Sequence, residues 1–173
     1  MARLPLVDPD LDDPNAQAVF GYFAERGMPP PELYRVLGNS PVLLKAWTDL
    51  AWPLRHEPSV PRGLRELAIL RVAQLTGAQY EWQAHAPAAL AHGVSQEVLD
   101  GLDHWEQLEG LGDAEREILR FTEQLTQGLA VDDETFAAVM ARWSPSEIVE
   151  LTLTVAFYSC VSRVLHALHV GEP

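Results

Sequence analysis

Apolar residues recur at helical spacing along almost the whole chain, and turn residues interrupt them at regular intervals. No stretch alternates between apolar and polar residues with period two between hairpin turns, which is the pattern of paired strands. Three Asp-Pro or Ser-Pro pairs provide an N-cap followed by proline at the first helical position. These pairs are Asp13-Pro14, Ser40-Pro41 and Ser144-Pro145. The sequence therefore predicts an all-α protein.

The helices predicted from these signals cover most of the chain. They span residues 14–26, 29–39, 41–56, 61–76, 78–92, 96–105, 114–128, 134–143 and 144–170. Gly27, Gly77 and Gly93 end three of them, and Pro53 should interrupt or kink the third. Further N-caps are expected at Ser95, Asp113 and either Asp132 or Asp133. Residues 1–12 are rich in proline and aspartate, and we expect them to be extended or mobile.

The last predicted helix opens with a capping box, in which Ser144 is the N-cap, Pro145 the first helical residue and Glu147 the third. The helix is more apolar than one side of a small bundle requires. Exposed apolar surface on that scale normally marks an interface between protein chains. We therefore expect the protein to associate with copies of itself.

The length of 173 residues suits one domain with a complete hydrophobic core. We expect a core over residues 58–173 and an N-terminal extension, residues 1–57, that packs on this core. The antiparallel pair of helices within residues 61–92 should form the centre, because the turn "TGA" that joins them is short.

Charge narrows the class of partner. The formal net charge of −13 argues against nucleic acid and anionic membranes, because both attract clustered lysine and arginine. No uninterrupted apolar run reaches membrane-spanning length, and the first residues lack the apolar stretch of a signal peptide. We therefore expect a cytoplasmic protein whose partner is a small-molecule substrate. The single cysteine, Cys160, excludes a disulfide or a dithiol redox cycle within one chain.

Three residues could carry acid–base chemistry in an apolar setting. Glu81 and His85 are four residues apart and share one helix face. Glu66 lies on the preceding helix, at a similar distance from the Gly77 turn, so the three side chains should converge on one partly buried pocket. Burial and neighbouring charge move pKa values towards neutrality in such a cluster. The alternative interpretation is structural: Glu66 pairs with an arginine of its own helix, and His85 satisfies a backbone carbonyl.

The segment "RGLRELAILRVAQLTGAQYEWQAHAPAALAHGVSQEVLDGL" resembles the core repeat of the carboxymuconolactone decarboxylase family and its alkylhydroperoxidase D-like branch. In that branch a glutamate precedes a CxxC pair, and a histidine follows four residues after the second cysteine. On this chain those positions fall on Glu66, Ala78, Glu81 and His85. The resemblance implies an alkylhydroperoxidase D-like helical bundle, and it extends to a closing helix that carries Arg163. In this family the chains form trimers, hexamers and sometimes dimers.

The departures from the motif favour the cysteine-free branch of the family. Peroxide reduction needs one thiolate to attack the O–O bond and a second thiol to resolve the product. Ala78 and Glu81 can do neither, and Cys160 lies in an apolar segment, where a thiol behaves as a small hydrophobic residue. We therefore expect no dithiol peroxidase activity.

The resemblance implies decarboxylation of a small carboxylated or carbonyl compound, without a metal or an organic cofactor. His85 would donate the proton, and Glu66 would orient the His85 ring or restore its proton. Glu81 would be a second base. Arg71 or Arg163 could bind a carboxylate, unless each serves a structural ion pair, and Tyr80 and Trp82 could line the pocket. Two other classes stay open, a non-catalytic ligand-binding scaffold and a peroxidase-related protein. His166 and His169 could complete a metal site only if their helix contacts Glu81 and His85, and no metal is expected.

Overall fold

The computed structural model describes residues 2–56 and 59–171, and every regular element within them is a helix. The α-helices are α1 (Pro14–Ala24), α2 (Glu32–Leu37), α3 (Pro41–His56), α4 (Arg62–Thr76), α5 (Gln79–Ala91), α6 (Gln96–Asp100), α7 (Asp113–Glu123), α8 (Asp133–Arg142) and α9 (Pro145–Leu168). A 3₁₀ helix, Leu102–Gln107, follows α6, and a π-helical turn, Gln124–Gly128, follows α7. The all-α prediction is confirmed.

Side-chain caps begin several helices where the sequence predicted them. Asp13 accepts a hydrogen bond from the backbone N–H of Asn15 at 2.8 Å. At the start of α9, the Ser144 N–H donates to Glu147 Oε2 at 2.8 Å, and the Glu147 N–H donates to Ser144 Oγ at 3.3 Å. This reciprocal pair is the predicted capping box. Ser95 and Asp132 cap α6 and α8 with a single bond each, accepted from the backbone N–H of Val98 and of Thr135.

Three details differ from the sequence-based expectation. Pro53 lies inside α3, which continues to His56; only one hydrogen bond is lost so near the end of a helix. Asp113 is the first residue of α7 rather than its cap, and Gly112 occupies the cap position. The helix predicted over 96–105 is divided at Gly101, because Leu108 packs over that glycine, where a Cβ would lie 2.5 Å from Leu108 Cδ2.

Residues 2–12 form no helix, and hydrogen bonds tie them to α2 and to Asn39 just after it. The Val7 N–H donates to the Arg35 carbonyl at 3.1 Å, and Arg35 Nε donates to the Val7 carbonyl at 3.0 Å. Asn39 Nδ2 donates to the Pro5 carbonyl at 2.8 Å. These bonds hold the segment in place within its part of the chain.

The chain divides into two compact units, one of Met1–Glu57 with Val164–Pro173, and one of Pro58–Arg163. The first has a largely aromatic core that includes Phe20, Phe23 and Tyr34. The second has a core of leucines around Trp105. The boundary predicted between residues 57 and 58 lies outside the described residues, and the packing of residues 1–57 on the core stays a prediction.

Helices α4 and α5 form an antiparallel pair inside the second unit. Gly77 turns the chain between them in the left-handed conformation (φ +68°), which favours glycine. At the open end of the pair the helices approach closely, because a Cβ on Gly63 would lie 2.5 Å from the His92 carbonyl oxygen. Helix α4 is almost wholly buried, and its buried residues include Arg65, Glu66 and Arg71.

Helix α9 is long and apolar enough to cross a membrane, judged by length and composition alone, and 44% of its most apolar window is buried inside the protein. Core helices of water-soluble proteins have the same properties. Cys160 lies on the exposed side of α9, so the expectation that its thiol packs as a small hydrophobic residue was wrong. Ala156, one turn before Cys160, is also exposed, whereas Phe157 and Val161 are buried.

Candidate functional site

Glu66 is a nearly buried carboxylate on α4, with 4% of its surface exposed. Arg62, one helical turn earlier, donates a hydrogen bond from Nε to Glu66 Oε1 at 3.1 Å. The other oxygen, Oε2, lies 2.6 Å from Nδ1 of His85. A buried charge is stable only when it is paired and hydrogen-bonded, and both carboxylate oxygens of Glu66 have such a partner.

Glu81 and His85 lie one turn apart on α5, as their spacing predicted. Nε2 of His85 is 3.4 Å from Glu81 Oε2, and only 4% of Glu81 is exposed. Each ring nitrogen therefore faces a carboxylate, and 14% of the histidine side chain is exposed. The structure thus brings Glu66, Glu81 and His85 together in one cluster, called here the Glu–His–Glu cluster. That the cluster is catalytic stays a prediction.

Tyr158 of α9 completes the surroundings of the imidazole. Its ring packs edge-on against the His85 ring, with 4.9 Å between the ring centroids and 89° between the planes. Tyr158 is 2% exposed, so it limits rotation of the imidazole about its side-chain bonds. This contact could not be predicted from local sequence signals, because 73 residues separate the two positions.

The cluster favours a protonated histidine. Burial opposes the charged ring and would lower the pKa of His85, but the hydrogen bonds that the ring donates to Glu66 and Glu81, together with their negative charges, outweigh it. The pKa of His85 consequently lies above its ordinary value. Burial likewise opposes the Glu66 carboxylate, yet His85 and then Arg62 hold the pKa of Glu66 below its ordinary value. Both shifts favour an imidazolium paired with the Glu66 carboxylate.

The arginines proposed as carboxylate ligands lie elsewhere. Arg71 is buried and forms an ion pair with Glu123, whose carboxylate also accepts a hydrogen bond from Trp105 Nε1 at 2.8 Å. Arg71 Nη1 donates to the Leu102 carbonyl at 2.9 Å. Arg163 is exposed, and its Nη1 donates to the Ser159 carbonyl of its own helix at 2.9 Å. Arg71 therefore has the structural role that the sequence analysis left open.

The two aromatic candidates lie on α5 beside the cluster. Tyr80 and Trp82 are both half-buried and flank Glu81 in the sequence. Trp82 and Ala78 line a cavity of about 250 Å³ at the turn between α4 and α5. Ala78 and Trp82 precede His85 by seven and three residues, so all three lie on one side of α5. The cavity is therefore about one turn along the helix from the imidazole.

No metal centre is evident in the part of the chain that the structure describes. Residues 2–56 and 59–171 contain no group of three or more His, Cys, Asp or Glu side chains placed to hold a metal ion. His166 and His169 belong to the first compact unit, whereas Glu81 and His85 belong to the second.

Comparison with known proteins finds a family match over the middle of the chain. Residues 41–124 match the model of the carboxymuconolactone decarboxylase family, and this segment contains the whole Glu–His–Glu cluster. No curated protein matches the chain in sequence. The family resemblance predicted from the sequence is thereby confirmed.

Solved structures share the fold. An uncharacterized peroxidase-related protein from Ralstonia eutropha, described as an alkylhydroperoxidase AhpD core, superposes with a TM-score of 0.79 at 16% identity, over 98% of this chain and 90% of that chain. The debrominase Bmp8, solved as a cysteine-to-alanine variant with 2,3,4-tribromopyrrole, superposes with a TM-score of 0.79 at 20% identity. The match covers 100% of this chain and 94% of that chain. An uncharacterized peroxidase-related protein from Silicibacter sp. superposes with a TM-score of 0.76 at 17% identity, over 98% of this chain and 94% of that chain. At these identities the likeness shows the alkylhydroperoxidase D-like fold alone.

Proposed function

Because residues 41–124 belong to the carboxymuconolactone decarboxylase family, we propose that the Glu–His–Glu cluster protonates carbon during a cofactor-independent decarboxylation. The observation that carries this proposal is the His85 ring, which has a carboxylate at each nitrogen, 2.6 Å and 3.4 Å away. A histidine held in one orientation with a raised pKa is suited to act as a general acid.

The proposed substrate is a small carboxylate with a carbonyl group at the β position, or a carboxylated unsaturated lactone in which the lactone carbonyl has the same role. The bond to the carboxylate carbon breaks, CO₂ leaves, and the electron pair passes to the carbonyl as an enolate. His85 then transfers its proton to the enolate carbon and recovers a proton from water. Glu66 and Glu81 stabilise the imidazolium before the transfer. Their negative charges also favour the uptake of the new proton from water afterwards.

For substrate binding we propose the cavity beside Trp82 and Ala78, with Tyr80 at its approach. Arg62, whose Nε binds Glu66, is the first residue of α4 and lies about 16 Å along that helix from the cavity. It therefore supports the cluster and does not reach a substrate carboxylate in this cavity. Arg71 and Arg163, the arginines predicted to bind a substrate carboxylate, have other partners: Arg71 is paired with Glu123, and Arg163 Nη1 donates to the Ser159 carbonyl.

The second candidate function is a ligand-binding scaffold without catalysis. The observation in its favour is that the ion pairs of Glu66 with Arg62 and His85 would also stabilise a core that performs no chemistry. A thiol peroxidase is a weaker candidate, because Ala78 and Glu81 occupy the positions of the two cysteines and Cys160 has no second cysteine in the chain.

The test is a substrate screen in D₂O with β-keto acids and carboxylated unsaturated lactones. We expect CO₂ release together with one deuterium on the product carbon, and loss of both in His85→Ala. The matched control is His104→Gln, since the His104 side chain is 73% exposed and far along the chain from the cluster. A protein that binds these compounds without releasing CO₂ would establish the scaffold function instead. Turnover of an organic hydroperoxide that disappears in Cys160→Ser would refute both proposals.

We also propose that the active form is a cytoplasmic homo-oligomer. Within the second unit, Met140, Val149 and Leu153 are 60%, 58% and 41% exposed, which is unusual for large apolar side chains grouped on two consecutive helices. Light scattering at micromolar concentration is expected to give a mass of at least two chains. Changing Val149 and Leu153 together to Glu should reduce that mass, and a wild-type monomer would contradict the proposal.

A further inference from the structure

A second cavity lies at the open end of the α4–α5 pair, away from the Glu–His–Glu cluster. It has a volume of about 270 Å³, and its apolar walls are formed by Leu64, Leu67, Val94, Val98 and Leu111. An apolar cavity of about 150 Å³ is large enough to bind benzene. This one therefore has room for a benzene-sized body that carries a short substituent.

The backbone keeps this cavity open. Gly93 and Gly110 both form part of its wall and have φ values of +94° and +89°, a conformation that other residues rarely adopt. Neither position can therefore gain a side chain that would fill the space. Gly63, also in the wall, is in close contact with the His92 carbonyl, so the two helices cannot move together to close it.

Two polar side chains in the wall, His92 and Glu115, offer hydrogen-bond acceptors. Nδ1 of His92 is 2.8 Å from the Ala88 carbonyl, so it carries the proton and leaves Nε2 as an acceptor in the neutral ring. The Glu115 carboxylate forms no ion pair or side-chain hydrogen bond within the described residues. The wall contains no lysine or arginine. A bound molecule should therefore bring a donor and a positive charge.

We propose that this cavity is a second small-molecule site, which binds a compact apolar amine through its hydrocarbon body and the Glu115 carboxylate. The site is separate from the cluster: His92 is seven residues beyond His85, which is about 10 Å along α5. It is nevertheless connected to the cluster, because Arg62 lies between two wall residues, Pro61 and Gly63, and binds Glu66.

Benzylamine, benzyl alcohol and benzoate are suitable probes, since they share one ring and differ in the charge of the substituent. We expect saturable benzylamine binding in a ligand-detected saturation-transfer NMR titration, weaker binding of benzyl alcohol and the weakest binding of benzoate. Glu115→Gln should raise the Kd of benzylamine about tenfold, the effect of losing a charged hydrogen-bond partner. Val98→Phe should abolish binding by filling the cavity.

The matched control is Glu109→Gln, which removes the same charge from an exposed residue outside the wall and should leave the Kd unchanged. A crystal soaked in benzylamine gives a readout that does not depend on the folding of any variant, and it should place the ring between Leu64 and Val98. The proposal is overturned if wild-type protein shows no saturable binding, if benzoate binds as well as benzylamine, or if the ring occupies another place.

Discussion

Replacing His85 by glutamine is expected to lower the kcat of the proposed decarboxylation by about 10²- to 10⁴-fold, the range that general acid catalysis contributes. Glutamine has a similar length and can hydrogen-bond to Glu66, but it cannot supply a proton to carbon. The KM should change much less than kcat, because most of the proposed contacts with the substrate body come from the cavity beside Ala78 and Trp82. Steady-state kinetics on a compound from the screen measure both constants.

The pH dependence of the same reaction separates an acid role from a purely structural one. A general acid is active only while protonated, so kcat should fall as the pH rises through the pKa of His85. Glu66→Gln removes a carboxylate that raises this pKa, and the fall in kcat should therefore move to lower pH. His104→Gln should leave kcat and its pH profile unchanged. Activity within threefold of wild type in His85→Gln would assign the proton to another group.

Much of the fold could be predicted from the sequence because its signals are local. A cap such as Ser144 with Glu147 depends on residues within one turn, and the structure contains both of its hydrogen bonds. The contact between Glu66 and His85 was also predictable, since a short turn with glycine at its end makes α4 and α5 antiparallel. Glu66 lies about three turns before the glycine and His85 about two turns after it, which places the two side chains at a similar height.

Features that depend on distant parts of the chain could not be predicted. The ion pair of Arg71 joins residues 52 positions apart, and nothing in the sequence distinguished Glu123 from other glutamates as its partner. The contact between His85 and Tyr158 and the cavity beside Val98 likewise require the packed tertiary structure. Arg163 was assigned from family resemblance alone, which says nothing of how exposed that side chain is in this chain.

The second prediction with a large expected effect concerns stability, and it follows from the opposite pKa shifts of His85 and Glu66. The pKa of His85 is raised above 6.5, so its contribution to the free energy of unfolding is complete below pH 6.5 and is lost as the pH rises through the raised value. The pKa of Glu66 is lowered from 4.5, so its contribution is complete above pH 4.5 and is lost at lower pH. The pair therefore stabilises the protein most between pH 4.5 and 6.5.

Glu66→Gln is expected to lower the free energy of unfolding by about 1.5–3 kcal/mol inside this window, the value of a hydrogen bond to a charged group. Above the pKa of His85 the cost should become smaller, because a neutral imidazole donates to a glutamine oxygen nearly as well as to a carboxylate. Urea unfolding at equal protein concentration, at pH 5.5 and at pH 9, measures the difference. Glu106→Gln is the control. Replacement of this exposed residue should lower the free energy of unfolding by less than about 0.5 kcal/mol at either pH. A cost of Glu66→Gln as small as that of Glu106→Gln at both pH values would show that the ring between the two carboxylates is neutral throughout. A neutral ring would lack the proton that the proposed reaction requires.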